Sequence, residues 1–555
     1  MIIGLDVGGT HTDVVLWGNR SIIREVKVPT DPVDLFTSVL RGIEDITRNI
    51  NIKDINRIVL STTLITNAVV QKKIPSVGMI VSSGPGIDPE LFRTGTHYYP
   101  VSGSIDHRGR EIEPVDESAI KKLINPMIKA GIKSVGVVSK FSIRNPAHEL
   151  KINKIIKDSF DSVFLGHRVS GSLNFPRRIA TTFINASVAK IHKDFFIAIK
   201  KSLGQKKLNL PIHILKADGG TMSFEASIDF PGQTVLSGPA ASVMGALSFA
   251  PENSDSLVLD IGGTTTDMAV LVNRVAALNP LGIELGGYKT LIRSIEAESI
   301  GIGGDSLVRI KDGKLKVGPQ REGFAIAHGG TEPTLTDAFY VLENMDIEKK
   351  SIKGIAPLAE KLGLSVSETS EKIIKQACET IYKRAQNLIN RINSKPVYTV
   401  KELHKGFMVN PKKILVLGGP APFFAKRLKQ LFGFPAMVVP KCGIANAMGA
   451  ALSKTTCEVT LFADTQQGVV MAPEENFAGK ISGSFTKKDA VKKAYELLEK
   501  KALQRGAQAG ELEMEIIEEM EFNMIRGFST AGKNIRIKAQ IKPGLIEEYD
   551  HIARV

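Results

Sequence analysis

The eight residues DVGGTHTD at positions 6–13 decide the fold of this chain, because DIGGTTTD at positions 260–267 repeats them. Both copies read D-x-G-G-T-x-T-D. Each lies between two short apolar runs, IIGL and VVL around the first copy and LVL and MAVLV around the second. A repeat spaced this widely indicates two similar domains that face each other rather than a solenoid.

Each copy of the motif has the pattern of a β-hairpin. The apolar run before the glycine pair is rich in Ile, Leu and Val, which predicts a buried strand, and the run after it predicts a second strand. Two adjacent glycines fit a tight turn that side chains would block. Residues 21–28 predict a third strand. The motif matches neither the GxxxxGK[ST] of a P-loop nor the GxGxxG that opens a dinucleotide-binding helix.

This turn suits a phosphate group, because glycines let backbone N–H groups approach an anion and threonine hydroxyls add donors. Aspartates at the strand ends can hold Mg²⁺ through its water molecules. A single glycine hairpin is more often only a turn, whereas two matched copies favour a clamp on a nucleotide. We therefore predict a Mg²⁺ site at Asp6 and Asp260, and phosphate contacts from Gly8, Gly9, Thr10, Thr12, Gly262, Gly263, Thr264, Thr265 and Thr266.

A third glycine turn follows later in the chain. Residues 413–417 predict a buried strand, residues 418–420 a turn at Gly418 and Gly419, and residues 423–432 a helix, and such a turn lets an adenine ring lie against the backbone. In this order the three elements resemble the phosphate-1, phosphate-2 and adenosine motifs of the actin, Hsp70 and sugar-kinase superfamily. Two further glycines either line the nucleotide cleft or only form a turn: Gly303 and Gly304.

Composition narrows the class of protein. The chain has 555 residues, of which 43% are hydrophobic, so we expect several domains. A net charge of +14 fits either an anionic partner or a lysine-rich surface. The lysines are dispersed and aromatic residues are only 6%, so we predict no nucleic-acid partner.

Three cysteines without a CxxC pair argue against a disulfide framework or metal cluster. The absence of a signal-peptide pattern and of long apolar runs predicts a cytoplasmic protein without a membrane span.

Further segments resemble the hydantoinase/oxoprolinase A family within that superfamily. They are TTLITNA at 62–68, FSIRNPAHE at 141–149, a helix at 178–190, ADGGTMS at 217–223, LSGPAAS at 236–242, VGPQ at 317–320, GGTEPTLTDA at 329–338 and GIANAMGA at 443–450. The sequence departs from the family where residues 321–328 replace a Pro-Gly-Pro-rich stretch with a cysteine. It also has GGPAP at 418–422, where the family usually has GGAGP.

The resemblance implies an α/β fold with two facing actin-like (ribonuclease-H-like) lobes around a nucleotide cleft. Residues 487–504 predict a helix, and residues 511–523 and 534–542 predict strands, so we add a small α+β element at the C-terminus. The predicted domains are an N-terminal lobe, a second lobe and this element: residues 1–175, 176–455 and 456–555.

The resemblance also implies an ATP-dependent cyclic-amide hydrolase of the hydantoinase or 5-oxoprolinase type. ATP would phosphorylate the ring carbonyl, because resonance protects the amide, and the protein would supply positioning and charge stabilisation. Mg²⁺ between Asp6 and Asp260 would neutralise the phosphates. Asp13 or Asp267 would orient the substrate or act as a base, or would only brace its hairpin. The expected partners are a small cyclic amide and a B-type subunit, in a homo- or hetero-oligomer.

Three other functions fit the same motifs. A ketone carboxylase subunit would phosphorylate an enolate or activate bicarbonate, and acetone-carboxylase-type subunits carry similar segments. A small-molecule kinase would release a stable phosphate ester. A non-catalytic, nucleotide-dependent assembly protein is a third alternative, although activator ATPases of the superfamily hold a cluster between cysteine pairs that this chain lacks.

Overall fold

The computed structural model of the protein describes residues 1–31, 34–279, 281–345, 348–394 and 408–554. The strands of the first part of the chain are β1 (Ile2–Val7), β2 (His11–Gly18), β3 (Ser21–Pro29), β4 (Arg57–Thr62), β5 (Val77–Ser82), β6 (His97–Pro100), β7 (Ser104–Ile105), β8 (Glu111–Glu113), β9 (Ser134–Ser139), β10 (Ser162–Leu165), β11 (Ile212–Leu215) and β12 (Thr221–Ser223). Its helices are α1 (Leu35–Thr47), α2 (Leu64–Val70), α3 (Glu117–Lys129), α4 (Ala147–Ile156), α5 (Gly166–Val169), α6 (Phe175–Gln205), α7 (Phe224–Ser227) and α8 (Ser237–Leu247).

The first large sheet has the strand order β12-β11-β4-β1-β2-β3. Strand β1 pairs antiparallel with β2 and parallel with β4, and β11 extends the sheet parallel to β4. A smaller sheet of order β10-β9-β5-β6 packs its apolar side chains against α6. Because β1, β4 and β11 are parallel, their carboxyl ends meet at one edge, where the first glycine turn lies.

The second part of the chain repeats this plan. Its strands are β13 (Ser256–Ile261), β14 (Thr266–Val272), β15 (Val275–Ala276), β16 (Glu284–Leu285), β17 (Tyr288–Lys289), β18 (Ala297–Ile300), β19 (Val308–Lys311), β20 (Lys314–Val317), β21 (Lys413–Leu417) and β22 (Ala436–Val438). Its helices are α9 (Leu335–Leu342), α10 (Glu348–Leu362), α11 (Val366–Asn393), α12 (Ala421–Phe432) and α13 (Ala445–Leu452). Strand β13 pairs antiparallel with β14 and parallel with β21, as β1 does with β2 and β4.

The two large sheets face each other across α8 and α13, whose small side chains form one buried cluster with both sheets. Glycine lets the backbones touch here. A Cβ atom at Gly449 of α13 would lie 2.3 Å from the backbone nitrogen of Gly245 in α8, and one at Gly4 of β1 would lie 2.1 Å from the carbonyl oxygen of Ala447. The lobes are therefore joined by a thin layer of closely packed helices.

The C-terminal element is an antiparallel sheet of order β25-β24-β23-β27-β26 with one long helix on it. Its elements are β23 (Glu458–Asp464), β24 (Val469–Ala472), β25 (Phe477–Lys480), α14 (Lys487–Gln504), β26 (Met514–Arg526) and β27 (Ser529–Ile541). The buried residues of α14, spaced four apart, are Ala490, Ala494, Leu498 and Ala502. The element is tied to the first sheet by the backbone nitrogen of Ser223, which donates to the carbonyl oxygen of Arg505 at 2.8 Å.

The predicted fold class, with two facing actin-like lobes and a small C-terminal α+β element, is confirmed. The predicted domain boundaries stay predictions, and the first sheet takes β11 and β12 from the C-terminal side of residue 176. Within the described ranges, no helix is both long and apolar enough to span a membrane. The cytoplasmic location stays a prediction.

Candidate functional site

The two glycine turns have the same geometry. In the first, the backbone nitrogen of Gly8 donates to the carbonyl oxygen of His11 at 3.1 Å; in the second, Gly262 donates to Thr265 at 2.9 Å. The two amides inside each turn have no acceptor among the described residues, so they are free to bind an anion. They belong to Gly9, Thr10, Gly263 and Thr264.

The turns face each other across a cleft. A Cβ atom built on Gly263 would lie 3.5 Å from the hydroxyl oxygen of Thr10, although the two residues come from different lobes. Gly9 is exposed and has nothing within 4 Å of its Cβ position. One ligand could therefore contact both turns.

Four carboxyl groups lie below the turns. Asp6 is directly opposite Asp13 in the first hairpin, and Asp260 is opposite Asp267 in the second, so each pair shares one face of its sheet. Burial raises the pKa of Asp6 to about 7, and the charges of Asp13 and Asp260 add to this effect. Burial, and then the charge of Asp260, raises the pKa of Asp267 to about 7. The site therefore concentrates negative charge that a cation would stabilise.

Three side chains that the sequence analysis did not select organise these carboxylates. Asn446 on α13 donates Nδ2–H bonds to Asp260 Oδ2 at 2.8 Å and to Asp6 Oδ2 at 3.3 Å, so one amide joins both lobes. Ser242 on α8 donates to Asp260 Oδ2 at 2.6 Å. Lys27 on β3 pairs with Asp13 Oδ1 at 2.7 Å. Asn446 and Ser242 lie within segments that resemble the family, whereas nothing in the sequence pointed to Lys27.

The residues at this site fit a hydrated magnesium ion. Among the described residues, no group of three or more His, Cys, Asp or Glu side chains is arranged to hold a metal directly. Mg²⁺ needs only one or two carboxylates when waters and phosphates complete its shell, and Asp6 with Asp260 meets that need. The buried Oδ1 of Asn446, which has no hydrogen-bond partner, is a further oxygen beside them. The magnesium site stays a prediction.

The other predicted glycines have different roles. The backbone nitrogen of Gly304 donates to Gly262 at 2.9 Å and that of Gly303 to Ser306 Oγ at 2.8 Å, so these amides support the second turn instead of facing a ligand. Gly418 has φ +89°, and a Cβ there would lie 2.1 Å from the carbonyl oxygen of Ile261. Gly419 is exposed beside open space. Of the four, Gly419 is the one whose Cβ position faces open space, and its contact with an adenine ring stays a prediction.

The structure does not bring two of the predicted threonines to the cleft. Thr12 is fully buried and its hydroxyl lies 2.9 Å from that of Thr30. Thr266 is also fully buried and donates to the carbonyl oxygen of Ile302 at 2.7 Å. Alternate residues of a strand point to opposite faces, so each threonine points away from the face of the adjacent aspartate. Thr10, Thr264 and Thr265 lie in the turns themselves and are partly exposed.

An ion pair that the sequence analysis missed lies beside the cleft. Arg321 pairs with Asp305 at 3.1 Å, and Asp305 Oδ2 would lie 2.9 Å from a Cβ on Gly263. The pKa of His11 is lowered, first by burial and then by the charge of Lys27, with a smaller effect of Arg321. Arg321 comes from the stretch at which the sequence departs from the family, so no motif pointed to it.

Comparison with known proteins gives consistent matches. The protein-family model described as hydantoinase/oxoprolinase matches residues 178–459, and the model described as its N-terminal region matches residues 2–160. Caprolactamase subunit alpha from Pseudomonas jessenii is 24% identical over 477 residues, which are 79% of this chain and 68% of that protein.

Two solved structures share the fold. A nucleotide-free acetone carboxylase has a TM-score of 0.71 at 16% identity, over 99% of this chain and 88% of that one. An ATP-dependent caprolactamase from Pseudomonas jessenii has a TM-score of 0.69 at 20% identity, over 97% of this chain and 87% of that one. At these identities the likeness shows the fold alone.

Proposed function

The chain belongs to the hydantoinase/oxoprolinase family, and from this premise we propose that it is the ATP-dependent subunit of a cyclic-amide hydrolase. It phosphorylates the carbonyl oxygen of a lactam or hydantoin before the ring opens. The observation that carries the proposal is the pair of facing turns with free amides above four carboxyl groups. The relatives named caprolactamase support a cyclic amide as substrate and ATP as phosphoryl donor.

The turns provide the phosphate-binding groups in this proposal. The amides of Gly9, Thr10, Gly263 and Thr264 hold the phosphates from both lobes, and Gly419 borders the adenine ring. Asp6 and Asp260 hold Mg²⁺, which supplies charge neutralisation at the phosphates. Because donors and carboxylates are fixed by the two sheets before the substrates bind, they stabilise the developing charge without reorganising.

Phosphoryl transfer leaves the amide ready for attack. The ring carbonyl oxygen attacks the γ-phosphorus, the bond between the γ-phosphorus and the β–γ bridging oxygen breaks, and ADP leaves. Water then adds to the activated carbon and the ring C–N bond breaks, which gives an acyl phosphate and a free amine. A second water releases phosphate and the carboxylate.

We assign proton transfer to Asp267 and a bracing role to Asp13. A general base works best when its pKa is near the working pH, and the pKa of Asp267 is raised to about 7. Asp13 instead forms a 2.7 Å ion pair with Lys27, which holds it in place. The relative's name, subunit alpha, supports a separate B-type partner that completes the reaction.

The test is ADP release by the purified chain with Mg²⁺ and ATP, with 5-oxoproline, hydantoin or caprolactam added. We expect a cyclic amide to stimulate release, and Asp6→Asn and Asp260→Asn to abolish it. The matched control is Asp158→Asn, an exposed carboxylate far along the sequence from the hairpins. Nucleotide binding is measured in parallel by calorimetry. A chain that binds no nucleotide would refute the clamp, whereas binding without turnover would direct the search to the partner subunit.

A ketone carboxylase subunit is the second candidate, and the relative named acetophenone carboxylase gamma subunit from Aromatoleum aromaticum, 25% identical over 85% of this chain, favours it. The same assay separates the two reactions. Release of ADP that depends on a ketone together with bicarbonate, and that no lactam stimulates, would replace the amide proposal. Release of a stable phosphate ester from a sugar would point to a kinase.

A further inference from the structure

A small polar cavity of about 60 Å³ lies between the first sheet and the C-terminal element. Among the described residues that line it, none belongs to the glycine turns. Its walls come from α6, the turn after β11, residues 291–293, β23 and the end of α14. We call it the arginine pocket, and its cationic side chains are Arg168, Lys216, Arg293, Lys501 and Arg505.

Arg505 is a buried cation of this pocket that has no carboxylate partner among the described residues. Its residue surface is only 6% exposed, and its guanidinium lies over the ring of Phe230, 4.7 Å from the centroid. Within the described ranges, its side chain makes no hydrogen bond and no ion pair. Burying a cation without a counter-ion is unfavourable, so the fold retains a charge here that a bound anion would balance.

Two further arginines have unused donors. Arg293 forms ion pairs through Nη1 with Glu458 at 3.3 Å and through Nε with Asp218 at 3.7 Å, and its Nε and Nη2 atoms are buried without a hydrogen-bond partner. Arg168 lines the pocket, and its side chain has no hydrogen bond or ion pair with any described residue. Guanidinium groups with free N–H donors are the usual partners of carboxylate and phosphate oxygens.

The carboxylates of the pocket do not balance these cations. Asp218 pairs with Lys216 and Arg293, Glu458 pairs with Arg293 and Lys538, and Lys501 pairs with Glu475. Among the described residues, Arg168 and Arg505 are left without a carboxylate partner. Burial raises the pKa of Glu474 to about 7. Burial also lowers the pKa of Lys216, and the charges of Arg505 and Arg293 add to this effect against that of Asp218. The pocket therefore carries an excess of positive charge.

We propose that the arginine pocket binds a small oxyanion, the carboxylate of an organic acid or inorganic phosphate. Its volume has room for about four water molecules, which fits one such group. A larger cavity of about 440 Å³ shares Arg168, Val169 and Phe230 with it, so the pocket borders a space that can hold the rest of an organic acid. The inference is independent of the proposed reaction at the glycine turns.

The test is equilibrium binding of inorganic phosphate and of acetate to the full chain, by calorimetry without nucleotide and with EDTA, against chloride at equal ionic strength. The variants are Arg505→Gln and Arg168→Gln. We expect either change to weaken binding by about tenfold or more, the loss typical of a charge-assisted hydrogen bond. Arg168 is only half-buried, so its variant is informative even where Arg505→Gln does not fold.

Two controls separate this pocket from the glycine turns and from surface charge. Asp260→Asn alters the cleft and should leave unchanged that part of the anion binding which Arg505→Gln and Arg168→Gln weaken. Arg48→Gln removes an arginine whose side chain is 72% exposed and should also have no effect. Tighter binding of phosphate than of acetate would assign the pocket to phosphate, and the reverse to an organic acid. Wild-type protein that binds neither anion, or pocket variants that bind both as tightly as the wild type, would overturn the proposal.

Discussion

Asp267 illustrates how burial at a single residue links stability to pH. Its pKa is raised from 3.8 to about 7, so the folded state binds the proton more tightly than the unfolded state between those values. Stability therefore falls as pH rises from about 4 to 7, and the loss is complete above pH 7. Asn at position 267 removes this loss. We predict that Asp267→Asn raises the free energy of unfolding, relative to wild type, by about 2 kcal/mol more at pH 8 than at pH 5. This value is discounted for the partial exposure of Asp267.

The measurement is urea unfolding of the nucleotide-free protein in EDTA at pH 5, 6, 7 and 8. Asp158→Asn, at an exposed position, should give the same difference from wild type at every pH. If Asp267→Asn changed the free energy of unfolding equally at pH 5 and pH 8, burial would not be raising the pKa of this carboxyl group.

At the scale of elements, the contact between α8 and α13 depends on glycine. A methyl group at Gly449 would lie 2.3 Å from the nitrogen of Gly245 and 2.4 Å from the carbonyl oxygen of Ala241, and backbone atoms cannot move aside locally. We predict that Gly449→Ala lowers the free energy of unfolding by about 1–3 kcal/mol, the usual cost of overpacking. Chemical denaturation at pH 7 measures it.

The matched control is Gly204→Ala in α6, where the nearest atom to the added methyl is Asn209 Oδ1 at 3.5 Å. With space available, alanine should stabilise the helix by up to about 1 kcal/mol. A lower free energy of unfolding for Gly449→Ala together with a higher one for Gly204→Ala would support the close contact between α8 and α13. A stabilising effect of Gly449→Ala would contradict it.

Elements were predictable where their pattern is local. The strand Lys413–Leu417 and the helix Lys487–Gln504 have the bounds that the sequence predicted, because hydrophobic period and helix-favouring residues act within a few positions. Thr12 and Thr266 were assigned to the cleft because a motif does not reveal which face of a strand its residues occupy. The bond from Asn446 to Asp6 spans 440 positions of the chain, and only the packing of α13 between the lobes creates it.

At the scale of the whole molecule, a nucleotide that contacts both turns should join the lobes. We predict that Mg²⁺ with a non-hydrolysable ATP analogue slows amide hydrogen exchange in residues 8–11 and 262–265 together. At a ligand concentration of 100 times Kd, binding contributes about 2.7 kcal/mol to stability. Hydrogen-exchange mass spectrometry measures the effect, with adenosine as the control that lacks phosphates. Protection confined to one turn would contradict a ligand shared by both lobes.

The amide of Asn446 has a consequence for how the cleft can stay both stable and receptive. A carboxamide is uncharged, and it can donate a hydrogen bond through its nitrogen or accept one through its oxygen. The Asn446 side chain therefore bridges Asp6 and Asp260 without adding a charge between them. A lysine at this position would place a permanent positive charge there and would compete with any incoming cation. An aspartate would add to the repulsion between the carboxylates of Asp6 and Asp260. A neutral carboxamide therefore lowers the repulsion between the two carboxylates, and a cation that enters the cleft can displace it without competing with another positive charge.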